Sequence, residues 1–251
     1  MGERAGLEAV LFDAGGTLVR LDYEWMAGEV TWLGAALDPV TLRRAEIAGR
    51  RRYDASRGHA PGENPGPLGA TGDTRSYFAG MLEAAGVPPA VVEAALLRFF
   101  ARHEAAGLWT RPMEGAREAL DALGEMGLRR AVISNSDGRA EMHLGDCGML
   151  RGIEFVVDSH AVGVEKPAPA IFRIALERLG LSPNDALFVG DIRSVDEAGA
   201  RAVGTHFVLL DPYGDYASPG EPAIEGMHGL AAWVAEHFEL PARRRTGTLR
   251  S

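Results

Sequence analysis

The sequence predicts a doubly wound parallel sheet of the α/β class, with a helical domain inserted after the first strand. Three observations support this fold. Helix and strand patterns alternate from residue 114 to residue 211, as in parallel sheets that carry helices on both faces. Polar side chains directly follow several of the predicted strands. The long segment between the first strand and this repeat contains apolar residues at helical spacing.

The apolar run Val10 to Phe12 predicts the first strand, and Asp13 follows it directly. In the repeat, helices are recognised by apolar residues three and four positions apart, and buried strands by short apolar runs. Gly127 is a natural cap for the first helix. The predicted elements are, in order, a helix over 114–126, strands over 131–133 and 154–157, a helix over 169–180, a strand over 186–191, a helix over 195–204, a strand over 205–211 and a helix over 230–238.

The composition narrows the class of protein. A chain of 251 residues with 46% hydrophobic residues is long enough for one domain with a large insertion or for two domains. Its net charge of -9 argues against binding to nucleic acid or to anionic membranes. The single cysteine, Cys147, excludes an internal disulfide. With no leader-like segment at the start, we expect a cytoplasmic protein, as a monomer or homodimer, with a small-molecule partner.

Lys166 is the only lysine among 26 basic residues. A chain that otherwise uses arginine throughout would keep a lysine where a compact, mobile ammonium is needed, because a planar guanidinium cannot replace it. Lys166 stands before Pro167 at the start of the predicted helix over 169–180.

Candidate functional residues collect where parallel sheets bind ligands, at the carboxyl ends of the strands. Asp13 follows the first strand, and Ser134 and Asn135 follow the strand over 131–133. Asp191 ends the strand over 186–191. Four stretches, including the one that holds Lys166, therefore point to one pocket.

The motifs in these stretches resemble the haloacid dehalogenase superfamily of hydrolases. They are FDAGGTL at 12–18, ISNSD at 133–137, GVEKPAPAIF at 163–172 and VGDIRSVDEAGARAVG at 189–204. The resemblance implies a Rossmann-like core over 1–20 and 109–238. It also implies a helical cap over 21–108, of the C1-type subclass, that opens and closes on hinges near 20–22 and 107–110.

The resemblance also implies the chemistry. Asp13 would be the nucleophile that forms a covalent aspartyl intermediate, and Lys166 would neutralise charge between nucleophile and substrate. The implied cofactor is Mg²⁺. Its implied site comprises Asp13, the Gly15 carbonyl, Asp191 and Asp196. The implied substrate-binding residues are Gly16, Thr17, Ser134, Asn135 and Lys166, and Ser134 and Asn135 are also counted with Asp13 and Lys166 as catalytic.

Gly15 departs from the pattern of the family's phosphatases, which carry an aspartate two residues after the nucleophile as general acid and base. General acid and base catalysis is worth on the order of 10²- to 10⁴-fold in rate. The sequence therefore favours a phosphohydrolase that acts on a small phosphorylated metabolite with a good leaving group.

Other interpretations stay open. The 2-haloacid dehalogenase branch also lacks the second aspartate, although it typically does not keep the acid that matches Asp191. Another acid could reach in from the cap, for which Asp22, Glu24 and His59 are candidates. Catalysis could also be weak or lost, which would leave a ligand-binding pseudo-hydrolase.

The inserted segment has the composition of a helical cap. Helical spacing marks 31–52, interrupted by Pro39, and 91–107. The stretch over 56–74 is rich in Gly and Pro and predicts a loop, in which Arg57 or His59 could meet a substrate anion. Residues 239–251 form a basic segment for which we expect disorder.

Overall fold

The computed structural model describes residues 4–57 and 73–241. Within them, a sheet of six parallel strands has the order β5-β4-β1-β6-β7-β8, and a separate antiparallel pair joins β2 to β3. The strands are Ala9–Phe12 (β1), Val19–Leu21 (β2), Trp109–Pro112 (β3), Arg129–Ser134 (β4), Val156–Asp158 (β5), Ala186–Gly190 (β6), His206–Leu210 (β7) and Ala223–Ile224 (β8).

Helices cover both faces of the six-stranded sheet and fill the insertion. None of those described is long and apolar enough to cross a membrane. They are Tyr23–Trp32 (α1), Pro39–Ser56 (α2), Thr74–Ala84 (α3), Pro89–Ala106 (α4), Ala116–Glu125 (α5), Ala140–Asp146 (α6), Ser159–Val162 (α7), Pro169–Leu179 (α8), Ala198–Val203 (α9) and Leu230–His237 (α10).

Strand β1 explains why both faces must be covered. Its side chains alternate between the faces, so Val10 and Phe12 join the core under α5 and α10, whereas Ala9 and Leu11 join the core under α8 and α9. All four are fully buried. The doubly wound α/β sheet predicted from the sequence is confirmed.

The strand order places β1 at the centre of the sheet. From β1 the chain proceeds to β4 and β5 on one side and then returns to β6, β7 and β8 on the other. Ligands of such sheets bind where the winding direction changes, beyond the carboxyl ends of the strands. The end of β1, flanked by β4 and β6, is that point.

Four helices, α1 to α4, lie between β2 and β3 and enclose a core of their own. Pro39 does not interrupt a helix there: it is the first residue of α2, and Asp38 caps the helix by accepting from the N–H groups of Val40 and Thr41. Proline suits this position because the first N–H of a helix needs no partner within the helix. The prediction of helix over 31–52 is corrected accordingly.

Two further predictions differ from the structure. Helix α3, Thr74–Ala84, was not predicted, and it begins at the edge of the predicted loop, whose residues 58–72 lie outside the described residues. The predicted disordered tail begins too early, because the Glu239 N–H donates to the Ala5 carbonyl and the Glu239 carbonyl accepts from Leu7. Residues 242–251 of that tail are not among those described.

Candidate active site

A cavity of about 170 Å³ lies at the carboxyl ends of β1, β4 and β6. The sheet brings Asp13, Ser134 and Asp191 to its wall, one from the end of each strand. Lys166 reaches the same cavity from the loop before α8. The convergence predicted from four separate stretches of sequence is confirmed for these residues.

Lys166 lies between two carboxylates. Its side chain is 1% exposed, and its Nζ atom donates to Asp13 Oδ1 at 2.5 Å and to Asp196 Oδ1 at 2.8 Å. Burial alone would lower the pKa of Lys166, but the charges of Asp13 and Asp196 outweigh it and raise that pKa. The ammonium is therefore a permanent positive charge beside Asp13.

Asp13 is itself buried, and burial raises its pKa to about 6, although the charge of Lys166 opposes the rise. Burial therefore disfavours the Asp13 carboxylate near neutral pH, and the contact with Lys166 and a main-chain hydrogen bond from Ala14 favour its charged form. A buried carboxylate of this kind is stabilised when it forms a bond to an electrophile or when a further cation binds beside it.

Both carboxylate oxygens of Asp196 accept hydrogen bonds. Oδ1 accepts from Lys166, and Oδ2 accepts from the main-chain N–H groups of Asp191 and Ile192, each at 3.0 Å. A side chain at Gly190 would overlap Asp196, since an added Cβ would come within 2.5 Å of it. The carboxylate of Asp196 therefore holds the Lys166 ammonium and the loop after β6 in place.

Asp191 has an oxygen with no partner. Its Oδ1 atom is buried and accepts no hydrogen bond from any residue that the structure describes. Burial raises the pKa of Asp191 well above its usual range, although the nearby Arg50 lowers it. An unpaired buried carboxylate oxygen is costly, and carboxylate oxygens of Asp13, Asp191 and Asp196 lie within 4.8 Å of one another. These residues fit a hard divalent cation.

The Asp191 carboxylate lies so close to the turn after β1 that residue 16 must be a glycine. The φ angle of Gly16 is +91°, which favours glycine, and an added Cβ would lie 2.2 Å from Asp191 Oδ2. The glycine thus lets the turn after β1 approach the carboxylate closely. Next to it, the hydroxyl of Thr17 is fully buried and has no hydrogen-bond partner within the described part of the chain.

The Asn135 side chain faces the loop that carries Lys166. Its Nδ2 donates to the Lys166 carbonyl at 2.9 Å, and its Oδ1 accepts from the Lys166 N–H at 2.8 Å. The amide therefore positions the lysine main chain, and Asn135 also lines the cavity. Ser134 is buried at the end of β4 and lines the cavity.

Trp109, at the start of β3, occupies the space beside Gly15. A Cβ added to Gly15 would lie 3.1 Å from Cδ1 and 3.2 Å from Cγ of the indole. A side chain at the position of the missing general acid would therefore crowd the Trp109 ring, a contact between distant segments that no local sequence pattern indicates.

We expect Gly15→Asp alone to reduce stability by about 1 to 3 kcal/mol, the usual effect of overpacking, with no gain in turnover of an unactivated phosphate ester. Gly15→Asp combined with Trp109→Ala should exceed Trp109→Ala alone by about 10²-fold on that ester, because only then does the new acid have space. Phosphate release and urea unfolding measure both effects. A gain in turnover by the single variant would show that Trp109 yields freely.

The cap acids considered from the sequence are placed away from the cavity. Asp22 caps α1 and pairs with Arg102 at 2.8 Å and Arg111 at 3.1 Å. Glu24 is exposed and lies 3.4 Å from Arg20. The structure thus contradicts these two hypotheses for a replacement acid, and His59 lies outside the described residues.

The part of the cavity wall that α4 contributes includes His103, which sequence reasoning missed. It lies near the end of α4, edge-on to the Trp109 ring and 3.8 Å from Asp137. Burial lowers the pKa of His103 to about 4, so the imidazole is neutral near pH 7. Its position on the buried face of a helix, next to β3, is the signal that could have identified it.

Fold and site together define the class: an α/β protein with a buried aspartate–lysine pair at the switch point of a parallel sheet. The chain belongs to the haloacid dehalogenase-like hydrolases, since the model of that family matches residues 7–204. The resemblance predicted from the four motifs is confirmed at the level of the superfamily.

Individual proteins show how far the similarity extends. Phosphoglycolate phosphatase of Rhodospirillum rubrum is 32% identical over 250 residues, which cover 96% of this chain and 95% of that protein. Haloacid dehalogenase-like hydrolase domain-containing protein 3 of Xenopus laevis is 46% identical over 98 residues, or 39% of this chain. That match spans 40% of the length of the Xenopus protein.

The fold has the same architecture in solved structures. A dehalogenase crystallised with an intermediate complex superposes with a TM-score of 0.61 at 20% identity, over 94% of this chain and 99% of that one. At this identity the similarity concerns the fold alone.

Proposed function

We propose that this chain is a Mg²⁺-dependent phosphohydrolase of the helical-cap, C1-type subclass, with residues 1–20 and 109–238 as core and 21–108 as cap. The observation that carries the proposal is the buried Asp13–Lys166 pair beside the unpartnered Oδ1 of Asp191. The phosphatase relative that spans nearly the whole chain supports a phosphorylated substrate.

In the proposed reaction, a carboxylate oxygen of Asp13 attacks phosphorus, and the bond from phosphorus to the leaving oxygen breaks with its electron pair. The Lys166 ammonium stabilises negative charge on the transferring group. Water then attacks phosphorus, the bond from phosphorus to the Asp13 oxygen breaks with its electron pair, and the protons of the water leave with the released phosphate or pass to solvent.

The remaining residues bind the transferring group or orient the pair. We assign the Ser134 hydroxyl, the Thr17 hydroxyl and the turn at Gly16 to the phosphoryl oxygens. Asn135 acts through the Lys166 main chain, which its amide holds. The Asp13 and Asp191 carboxylates and the Gly15 carbonyl would hold Mg²⁺, oriented by Asp196. When bound, Mg²⁺ supplies Lewis-acid stabilisation of the phosphoryl oxygens.

The absent acid at position 15 determines the expected substrates. Because residue 15 is a glycine, no carboxyl group at that position can protonate a departing alkoxide. We therefore propose small phosphorylated metabolites whose leaving group departs without a proton, such as acyl phosphates. A cytoplasmic location and a monomeric or homodimeric state stay predictions of the sequence.

The test is Mg²⁺-dependent phosphate release from acetyl phosphate, para-nitrophenyl phosphate and glucose 6-phosphate. We expect kcat/KM for the two activated substrates to exceed that for glucose 6-phosphate by at least about 10²-fold, and a chelator to abolish release. No phosphate release by a protein that still binds Mg²⁺ would instead indicate a ligand-binding pseudo-hydrolase. Metal-independent halide release from a 2-haloacid would indicate the dehalogenase alternative.

A further inference from the structure

One face of helix α2 in the cap carries both acidic and basic side chains, and this face packs against the core. Glu46, Arg50 and Asp54 follow one another at intervals of four residues, which places them on one side of the helix. Arg50 is 1% exposed, whereas its neighbours Arg51 and Arg52 lie on the surface. Of three consecutive arginines, only Arg50 is therefore buried.

The guanidinium of Arg50 contacts the strand ends that form the site. Its Nη2 lies 3.2 Å from Asp191 Oδ2, and its Nη1 donates to the Leu210 carbonyl at 3.0 Å and to the Asp191 carbonyl at 3.4 Å. A residue of the cap thus holds one oxygen of Asp191. The other oxygen, Oδ1, is the one with no hydrogen-bond partner in the described chain.

Arg50 is fixed from the cap side as well. Nη2 lies 3.5 Å from Oε2 of the buried Glu46, whose carboxylate accepts hydrogen bonds from the Tyr23 and Tyr77 hydroxyls. Asp54, one turn further along α2, accepts from the Ser194 N–H at 3.0 Å and from the Tyr216 hydroxyl. The helix is therefore held against the core by Arg50 and, one turn further along, by Asp54.

The positive charge of Arg50 affects both the stability of the carboxylate cluster and its affinity for cations. Two buried cations, Lys166 and Arg50, face the three carboxylates of Asp13, Asp191 and Asp196. Arginine does not lose its proton in proteins, so the positive charge beside Asp191 is permanent. It stabilises the site without a metal, and it repels any cation that approaches Oδ1.

We infer that Arg50 is a positioning residue of the metal site, through which the cap orients Asp191 and limits its affinity for divalent cations. The inference rests on the metal site of the proposed function. Two effects of Arg50 on metal affinity oppose each other: it orients the ligand, which favours binding, and it repels the cation. Repulsion should dominate, because like charges interact strongly where water is excluded. The loss of orientation should matter less, because the turn at Gly16 still packs closely against the Asp191 carboxylate when Arg50 is replaced.

The test is calorimetric titration of Mg²⁺ alone into substrate-free protein. The informative pair is Glu46→Gln and Glu46→Gln/Arg50→Met, because these two variants differ only in the arginine and neither leaves Glu46 as an uncompensated buried charge. We expect the double variant to bind Mg²⁺ at least about tenfold more tightly than the single variant. Arg50→Lys, which keeps the charge, should stay within about threefold of the wild type.

Arg43→Met is the matched control, since Arg43 lies on the same helix and pairs with the exposed Glu114; its Mg²⁺ affinity should equal that of the wild type. If the double variant does not fold, Glu46→Gln/Arg50→Gln replaces it and should also bind Mg²⁺ more tightly than Glu46→Gln. Mg²⁺ binding by the double variant that is equal to or weaker than that of Glu46→Gln would overturn the inference. Phosphate release by the wild type that is lost in Asp13→Asn would leave the proposed hydrolase standing in that case.

Discussion

Asp13→Asn is expected to lower kcat for acetyl phosphate hydrolysis by at least about 10³-fold, because a neutral carboxamide cannot attack phosphorus. The substitution preserves shape at the end of β1, so the fold should persist. Stability should stay equal or rise: burial raises the pKa of Asp13 to about 6, so at pH 7.5 the folded protein holds an anion that burial disfavours. Phosphate release and thermal unfolding measure the two effects.

Asp137→Asn is the matched control for this prediction. Asp137 lines the same cavity but pairs with Arg139 at 2.5 Å instead of with Lys166. We expect this variant to retain more than about a tenth of wild-type kcat, since it removes no reacting atom. Comparable losses in both variants would mean that Asp13 contributes only charge to the cavity and is not the nucleophile.

Lys166→Met is expected to reduce both activity and stability. Removing the cation leaves Asp13 and Asp196 buried without their shared partner, and breaking a buried ion pair in this way costs about 3 to 5 kcal/mol. The loss should be larger at pH 8 than at pH 5, because protonation neutralises Asp13 in acid and its pKa is already raised in the wild type. Urea unfolding at the two pH values measures this difference.

The same substitution should lower kcat by at least about 10²-fold through the lost stabilisation of the phosphoryl group. Lys166→Arg should not restore activity, since a side chain that is 1% exposed leaves no space for a larger, planar group. Arg173→Met, an exposed position on α8, serves as the control and should change neither quantity. Full activity in Lys166→Arg would contradict the argument from the single lysine.

The elements of the core follow from local pattern. The continuous apolar run of β1 and the apolar spacing along α8 are properties of neighbouring residues, and they predicted both elements within a few positions. The strands in turn brought Asp13, Ser134 and Asp191 together, because the carboxyl ends of parallel strands share one edge. Helix α3 was missed, since the Gly- and Pro-rich stretch before it obscured its start.

Roles that depend on partners distant in the chain were not predictable in the same way. The sequence indicated Asn135 as a substrate-binding residue but not that its amide also holds the Lys166 main chain, 31 positions away. Asp22 was considered as a replacement acid, whereas two arginines pair with it and it does not line the cavity. In each case the residue type suited several partners, and packing selected one of them.

The sequence by itself determined the α/β class, the family and the residues at the strand ends, because periodicity and motif spacing are encoded in neighbouring positions. Only the tertiary structure decided what surrounds those residues: Trp109 beside Gly15, Arg50 against Asp191 and His103 in the cavity wall. The first two contacts join segments that lie far apart in the chain, and the position of His103 comes from the burial of one face of α4. The physical reason is that side-chain contacts between distant segments arise only when close packing brings those segments together.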